Sequence, residues 1–298
     1  MNGEDRLEIL SVDLLKDEAE LVDSFRERAR GLGIQLGWHY DLDLAWIGSQ
    51  LGDPSGLKVL DAGAGTGVLQ WWLADKGADV VSADRLYRAD LSGRFRLAYR
   101  VDGLRQDDLL PTRKLISYRI SQADQSVGFR LKGGLRATAT TVLEPFRYKS
   151  PGHVTLYRQA LDNLADIIDE SFDVVVSVSA LEHNNLENLP KVVAELLRVL
   201  KQDGLLLVTL PAARDEDWYH EPSRGWCLTE DSLRSFFALS PDIESNFSEY
   251  DSLFHKIQES STLRRRLAPM FYQSGDNGMP WGIWDPQYQP LGVRKRKA

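Results

Sequence analysis

The sequence predicts an α/β domain: a doubly wound, mostly parallel sheet with helices on both faces. Three observations carry this. Short apolar runs that read as buried strands alternate with amphipathic stretches of helical period from residue 57 onward. Those runs are apolar on successive residues, as in strands covered on both faces. The first of them passes directly into "DAGAGTG", three glycines at two-residue spacing, at the carboxyl end of a strand, where ligands bind in such sheets.

Before the sheet, Val12, Leu15, Ala19, Val22, Phe25 and Ala29 form one apolar stripe, so a helix is expected over 12–31 with Gly31 as its stop. A shorter helix is expected over 42–51, before Pro54 and Gly56 interrupt the chain. Residues 1–56 thus read as a helical N-terminal cover on a domain running over 57–298. Strands are expected at 57–61, 79–84, 154–158, 172–179, 205–211, 243–249 and 291–295, which makes a seven-stranded sheet. Helices at 66–76, 188–201 and 251–267 alternate with them. One more is opened by Thr229, whose hydroxyl suits an N-cap.

The expected second and third strands are separated by about 70 residues. "RFRLAYRV", "KLISYRIS" and "VGFRLKGGLRATATTV" alternate in places, and Gly133 and Gly134 suit a two-residue hairpin turn. An inserted β-rich segment is therefore expected over about 88–150. The net charge of the chain is −8, yet residues 85–149 hold 14 Lys or Arg against 6 Asp or Glu, a surplus of +8, so the remainder is at −16. Such a patch could draw an anionic acceptor: a nucleotide-linked sugar, a pyrophosphate-linked lipid or an acidic glycan. A solvated face, or a contact with an acidic partner subunit, is the other reading.

Composition removes several classes. No apolar run approaches the ~20 residues of a membrane span, and "MNGEDRLEIL" has no apolar stretch of a secretory signal. A single cysteine, Cys227, excludes an internal disulfide and a cysteine-cluster metal site, so the cytoplasm is the expected location and no metal is expected.

The loop spacing does not fit the dinucleotide fingerprint G-x-G-x-x-G. Asp61 to Gly67 reads D-x-G-x-G-x-G and resembles the first motif of the class I S-adenosylmethionine-dependent methyltransferases. The resemblance continues in order. Asp84 ends the second strand; "DESFDVVVSVSALEH" is similar to that family's fourth-strand signature; "LLRVLKQDGLLLVTLP" is similar to its following helix and fifth strand. Four ordered motifs over about 150 residues imply a Rossmann-like fold and S-adenosylmethionine as cofactor. They also imply roles. Asp61, Gly63, Ala64, Gly65 and Gly67 would meet the amino-acid end of the cofactor and Asp84 its ribose, and Arg85 and Ser179 are expected among the cofactor contacts. The acid that the family usually carries after the third strand is replaced here by Ala160, so the segment Ala160, Leu161, Asp162 is expected at the adenine. Local alternatives are a helix N-cap for Asp84 and a turn cap for Asp61.

A methyl sulfonium is already activated, so the enzyme must hold a nucleophile in line at roughly 3 Å. An alcohol also needs a proton acceptor. The candidates are Glu182 and His183, just past the fourth strand, and His220 in "WYHEPSRGW" after the fifth. His39, in an aromatic segment, is expected to pack. Trp38, Tyr40, Trp46, Trp218, Tyr219, Trp226, Trp281 and Trp284 flank the sheet, either to stack on an acceptor or to join the appendages to the core. The D/N-P-P-Y/F pattern of amino-directed methyltransferases is missing after the fourth strand, which favours an oxygen nucleophile. The expected function is O-methylation of a small molecule or a sugar or polysaccharide precursor. "GWHYDLDLAWI" and "HEPSRGW" are loosely similar to bacterial methyltransferases of polysaccharide pathways. The alternatives are a nucleic-acid methyltransferase using the basic insertion, against which the acidic remainder counts, and a non-catalytic binding or scaffold protein of the same fold. An NAD-linked reductase is disfavoured by the glycine spacing.

Overall fold

The structure, a computed structural model, describes residues 4–121, 127–143, 149–266 and 283–298. Its strands are β1 (Arg6–Ile9), β2 (Lys58–Ala62), β3 (Asp79–Asp84), β4 (Arg100–Gly103), β5 (His153–Arg158), β6 (Phe172–Val178), β7 (Leu200–Ala212), β8 (Trp218–His220), β9 (Gly225–Cys227), β10 (Glu244–Ser245) and β11 (Gln289–Arg296). The helices are α1 (Leu14–Asp17), α2 (Ala19–Leu32), α3 (Tyr40–Leu51), α4 (Leu69–Asp75), α5 (Gly93–Ala98), α6 (Thr112–Ser121), α7 (Val127–Leu143), α8 (Leu189–Val199), α9 (Glu230–Phe236), α10 (Tyr250–Glu259) and α11 (Ser261–Arg266).

Nine strands form one sheet in the order β10-β1-β11-β7-β6-β2-β3-β5-β4. The six from β7 to β4 run parallel, and β11 lies antiparallel between β7 and β1. Successive strand residues serve opposite layers. Val59, Val174, Val176, Leu205 and Leu207 join the core under α2, α3 and α4, whereas Leu60, Val175, Leu206 and Val208 join the core under α8 and α9. Burial on both faces explains why these strands read as unbroken apolar runs.

The doubly wound parallel sheet is as the sequence predicts; three details differ. The sheet has nine strands rather than seven, because β1 and β4 were not expected, and β1 makes the N-terminal segment part of the sheet. The expected helix over 12–31 is broken at Glu18 into α1 and α2, with left-handed Gly33 as its cap rather than Gly31. Most importantly, the insertion is helical, not β-rich. The expected hairpin over 127–142 is α7, the expected strand over 114–121 is α6, and β4 alone adds a strand. Gly134 is no turn residue. It is buried where α7 packs on α6, and a Cβ there would stand 3.3 Å from Ile120.

Helix α3 is buried on almost every side, so it forms a layer of its own between α2 and the sheet. Trp46 anchors it, with Nε1 donating to Glu8 of β1 at 2.9 Å. This placement carries His39 and Tyr40, at the start of α3, to the carboxyl ends of the parallel strands. The hairpin β8–β9 follows β7 and covers the same end.

Candidate functional site

The glycine loop is strapped across the ends of β2 and β3. The amides of Gly63 and Ala64 donate to the Ala83 carbonyl at 2.9 and 3.2 Å. Gly63 has φ +77°, and a Cβ there would lie 2.4 Å from the Ala180 methyl, so only glycine fits between the loop and the turn after β6. Gly65 has φ +48°, and its amide donates to Asp84 Oδ2 at 2.7 Å. The other Asp84 oxygen accepts from the Leu86 amide at 2.7 Å. Asp84 is thus fixed from both sides, with its carboxylate facing a cavity.

Two cavities flank this loop. One, of about 400 Å³, is lined by Asp84, Arg85, Ala160, Leu161, Asp162 and His183, with Asn184 and Asn188. The other, of about 280 Å³, is lined by Asp61, Ala64, Gly67 and Tyr40, with apolar walls from Ile34, Leu36, Leu44 and Val68. Gly63, Gly65 and Ser179 line both. The eleven residues that the sequence points to for cofactor contact are therefore brought together around one continuous cleft. At its joint, Ser179 adopts φ +45°, a left-handed conformation uncommon for a residue with a side chain. Its amide donates to the Thr209 carbonyl at 3.0 Å.

Asp61 is 3% exposed and forms no ion pair among the described residues. Burial pushes its carboxyl up to about 7, and nearby Arg88 only partly offsets this. A buried carboxyl without its own cation suits an incoming ammonium, which restores the charged form. Asp84 supplies two oxygens at the spacing of vicinal hydroxyls. The residues present therefore fit S-adenosylmethionine, with the smaller cavity suited to the methionine part and the larger to the nucleoside.

The three candidate proton acceptors sit differently. Glu182, 3% exposed, accepts from the Ser179 hydroxyl at 2.5 Å through Oε1, while its buried Oε2 has no partner among the described residues. Burial holds its carboxyl above the usual range. His183 is exposed on the larger cavity, with Nδ1 donating to the Arg224 carbonyl at 2.9 Å. His220 is 5% exposed, bonded to the Ser223 hydroxyl at 2.6 Å and packed edge-on against Tyr288 at 5.3 Å. Burial lowers its pKa, and it lines neither cavity.

Other residues come to the site without a sequence signal. Arg88 is buried and bonds the Gly65 carbonyl at 3.1 Å and the Ser82 hydroxyl at 2.6 Å, locking the loop to β3. In the sequence it is one more cation of a basic stretch. His39, expected only to pack, makes a buried pair with Asp43 at 2.6 Å and stacks on Tyr40 at 4.5 Å. Trp38 and Tyr288 close the group behind them, with ring centres 5.4 Å apart. Trp38 and Trp46 are thus core residues, and Trp284 packs on Trp38 at 5.8 Å. Trp281 lies outside the described residues. Among those residues, no group of three or more His, Cys, Asp or Glu is placed to hold a metal ion. No helix there is long and apolar enough to cross a membrane.

Residues 42–250 match the family described as Methyltransferase domain. No curated protein matches. Solved structures similar to this chain include the [4+2]-cyclase SpnF, 14% identical over 97% of each chain with a TM-score of 0.47. The 1,6-didemethyltoxoflavin-N1-methyltransferase of Burkholderia thailandensis, with S-adenosylhomocysteine bound, is 14% identical over 96% of this chain and 81% of its own, at a TM-score of 0.41. An S-adenosylmethionine dependent methyltransferase from Mesorhizobium loti is 14% identical over 85% and 97%, at 0.38. The family match spans more than two thirds of the chain and covers the glycine loop and every lining residue of the larger cavity. The chain belongs to the methyltransferase-domain family and is a class I S-adenosylmethionine-dependent methyltransferase.

Proposed function

We propose that the acceptor is a small molecule or a sugar precursor and that the methyl group goes to one of its oxygens. The observation that carries this reading is the joint between the two cavities. Ser179 stands there, with Glu182 behind it and the half-buried Tyr40 opposite. S-adenosylmethionine supplies a methyl already activated as a sulfonium. Asp61 would hold its ammonium, Asp84 its ribose hydroxyls, and Ala160, Leu161 and Asp162 the adenine edge. Asp162 is itself steadied by Asn188 at 3.3 Å and Lys191 at 3.5 Å. An acceptor hydroxyl then needs somewhere to leave its proton. Glu182 lines neither cavity itself and is joined to the cleft through Ser179, which lines both; raised by burial and with one oxygen unpartnered among the described residues, it is the proton acceptor in this reading. Its bond from Ser179 keeps the carboxylate oriented. The apolar walls from Ile34, Leu36 and Leu44 exclude water from the reacting end.

The first test is calorimetric titration with S-adenosylmethionine and S-adenosylhomocysteine, with NAD as control. Micromolar binding of the first two and none of NAD is expected. Transfer of labelled methyl to nucleotide sugars, glycans, phenols, DNA and RNA then reads the acceptor. Methylation of a hydroxyl compound supports the proposal. Preferential, salt-sensitive methylation of DNA or RNA replaces it with the nucleic-acid reading.

A further inference from the structure

A third cavity, of about 640 Å³, lies in the insertion between α5 and α7 and shares no lining residue with the cofactor cleft. Its walls are of two kinds. Among the described residues, Leu97, Leu115 and Leu143 supply apolar surface; Arg94, Lys132 and Arg136 supply three cations, against one carboxylate from Asp90. Arg94 is committed to the structure, since Nη1 donates to the Leu32 carbonyl at 2.5 Å. Lys132 and Arg136 are exposed, stand one turn apart on α7, and have no carboxylate partner among the described residues.

The surroundings repeat this double character. Of the ten large apolar side chains exposed among the described residues, seven lie between Leu86 and Leu143, in about a fifth of the chain. That same fifth holds 11 Lys or Arg against 5 Asp or Glu, a surplus of six positive charges. A polyanion alone would not need the apolar wall, and a neutral apolar guest would not need the cations. Of these seven apolar side chains, Leu143 lines the cavity itself, where exposed apolar surface beside cations suits an amphipathic guest. Paired cations one helical turn apart match a compact anion such as phosphate.

We propose that this cleft binds an amphipathic anion: a phosphate head group held by Lys132 and Arg136, with an alkyl chain along Leu97, Leu115 and Leu143. The site is independent of the acceptor reading, because its residues and those of the cofactor cleft do not overlap. The head group could belong to a free long-chain phosphate or to a lipid in a bilayer, and the test separates the two.

The probe is dodecyl phosphate below its micelle-forming concentration, titrated by calorimetry, with dodecyl maltoside and inorganic phosphate as controls. Binding at least tenfold tighter than either control is expected. The exposed pair Lys132→Gln with Arg136→Gln should weaken it at least tenfold, and Ala139→Glu, which adds a carboxylate to the wall, should do the same. Affinity for S-adenosylmethionine should stay at the wild-type value in both variants, which also shows that they are folded. Vesicles of phosphatidylcholine with and without phosphatidic acid form the second arm. Cosedimentation that needs phosphatidic acid and both cations assigns the head group to a bilayer; soluble binding alone assigns it to a free chain. Equal binding of dodecyl maltoside, no binding of dodecyl phosphate, or binding untouched by both variants overturns the proposal.

Discussion

Asp61 carries a burden that can be measured. Its carboxyl is 3% exposed and pushed from 3.8 to about 7 by burial. A raised carboxyl pKa means that the folded chain takes up a proton more readily than the unfolded one. The resulting stability is fully present below about 3.8 and is lost as pH rises through about 7. A shift of about three units is worth about 4 kcal/mol at 1.36 kcal/mol per unit, which is a ceiling because the site relaxes. Asp61→Asn removes the buried charge and keeps the shape. At pH 8 the unliganded variant should be more stable than wild type by about 1–2 kcal/mol, a rise of several °C in Tm. The gap should narrow as pH falls and close only toward pH 4, where the unfolded-state carboxyl is protonated as well. Cofactor binding should show the reverse. S-adenosylmethionine should bind the variant at least tenfold more weakly at pH 8. The wild-type Kd should rise about tenfold for each pH unit below 7, while that of the variant stays flat. Calorimetry across pH 5 to 8 and thermal melts read both effects. A variant that binds as tightly as wild type, or a wild-type Kd that does not move between pH 5 and 7, would refute the ammonium assignment.

Other outcomes follow from the same geometry. Asp84→Ala removes the acceptor for the Gly65 amide and the two oxygens facing the larger cavity; Kd for S-adenosylmethionine should rise tenfold or more, with the far-UV spectrum retained, and an unchanged Kd sinks the ribose role. Gly63→Ala places a methyl 2.4 Å from Ala180 at φ +77° and should destabilise the protein by about 2–4 kcal/mol in urea melts. Thr229→Ala deletes the hydroxyl that accepts from the Ser232 amide at the start of α9 and donates to Asp217; a loss of about 1 kcal/mol is expected by the same assay. Glu182→Gln should lower turnover of the acceptor identified by methyl transfer at least a hundredfold while leaving the S-adenosylmethionine Kd within twofold; equal turnover assigns the proton to another group.

Much of the cofactor cleft was legible because its determinants are local. A glycine required by a positive φ, an acid at the end of a strand, and apolar runs buried on both faces all leave a mark within a few residues of chain. Hence Asp61, Gly63, Gly65 and Asp84 could be singled out, and most of the strands placed to within a residue or two. Short-range alternation misled where the tertiary environment decides. The stretch over 127–142 alternates like a hairpin, yet its small residues let α7 pack closely on α6, and Gly134 serves that approach rather than a turn. Arg88 could not be told from its basic neighbours, because its role depends on Ser82 and Gly65 meeting it in space. His39 and Asp43 share a helix start, but only the packing of α3 across the sheet sets them behind Tyr40 and near Glu182. By itself, then, the sequence determined the parallel sheet, the cofactor class and the glycine loop at the strand ends, since backbone conformation and strand burial are short-range demands. The tertiary structure alone decided the helical form of the insertion, the buried acids and histidines beside the glycine-loop cleft, and the second cleft that Lys132 and Arg136 line, since each depends on which surfaces distant segments bury against one another.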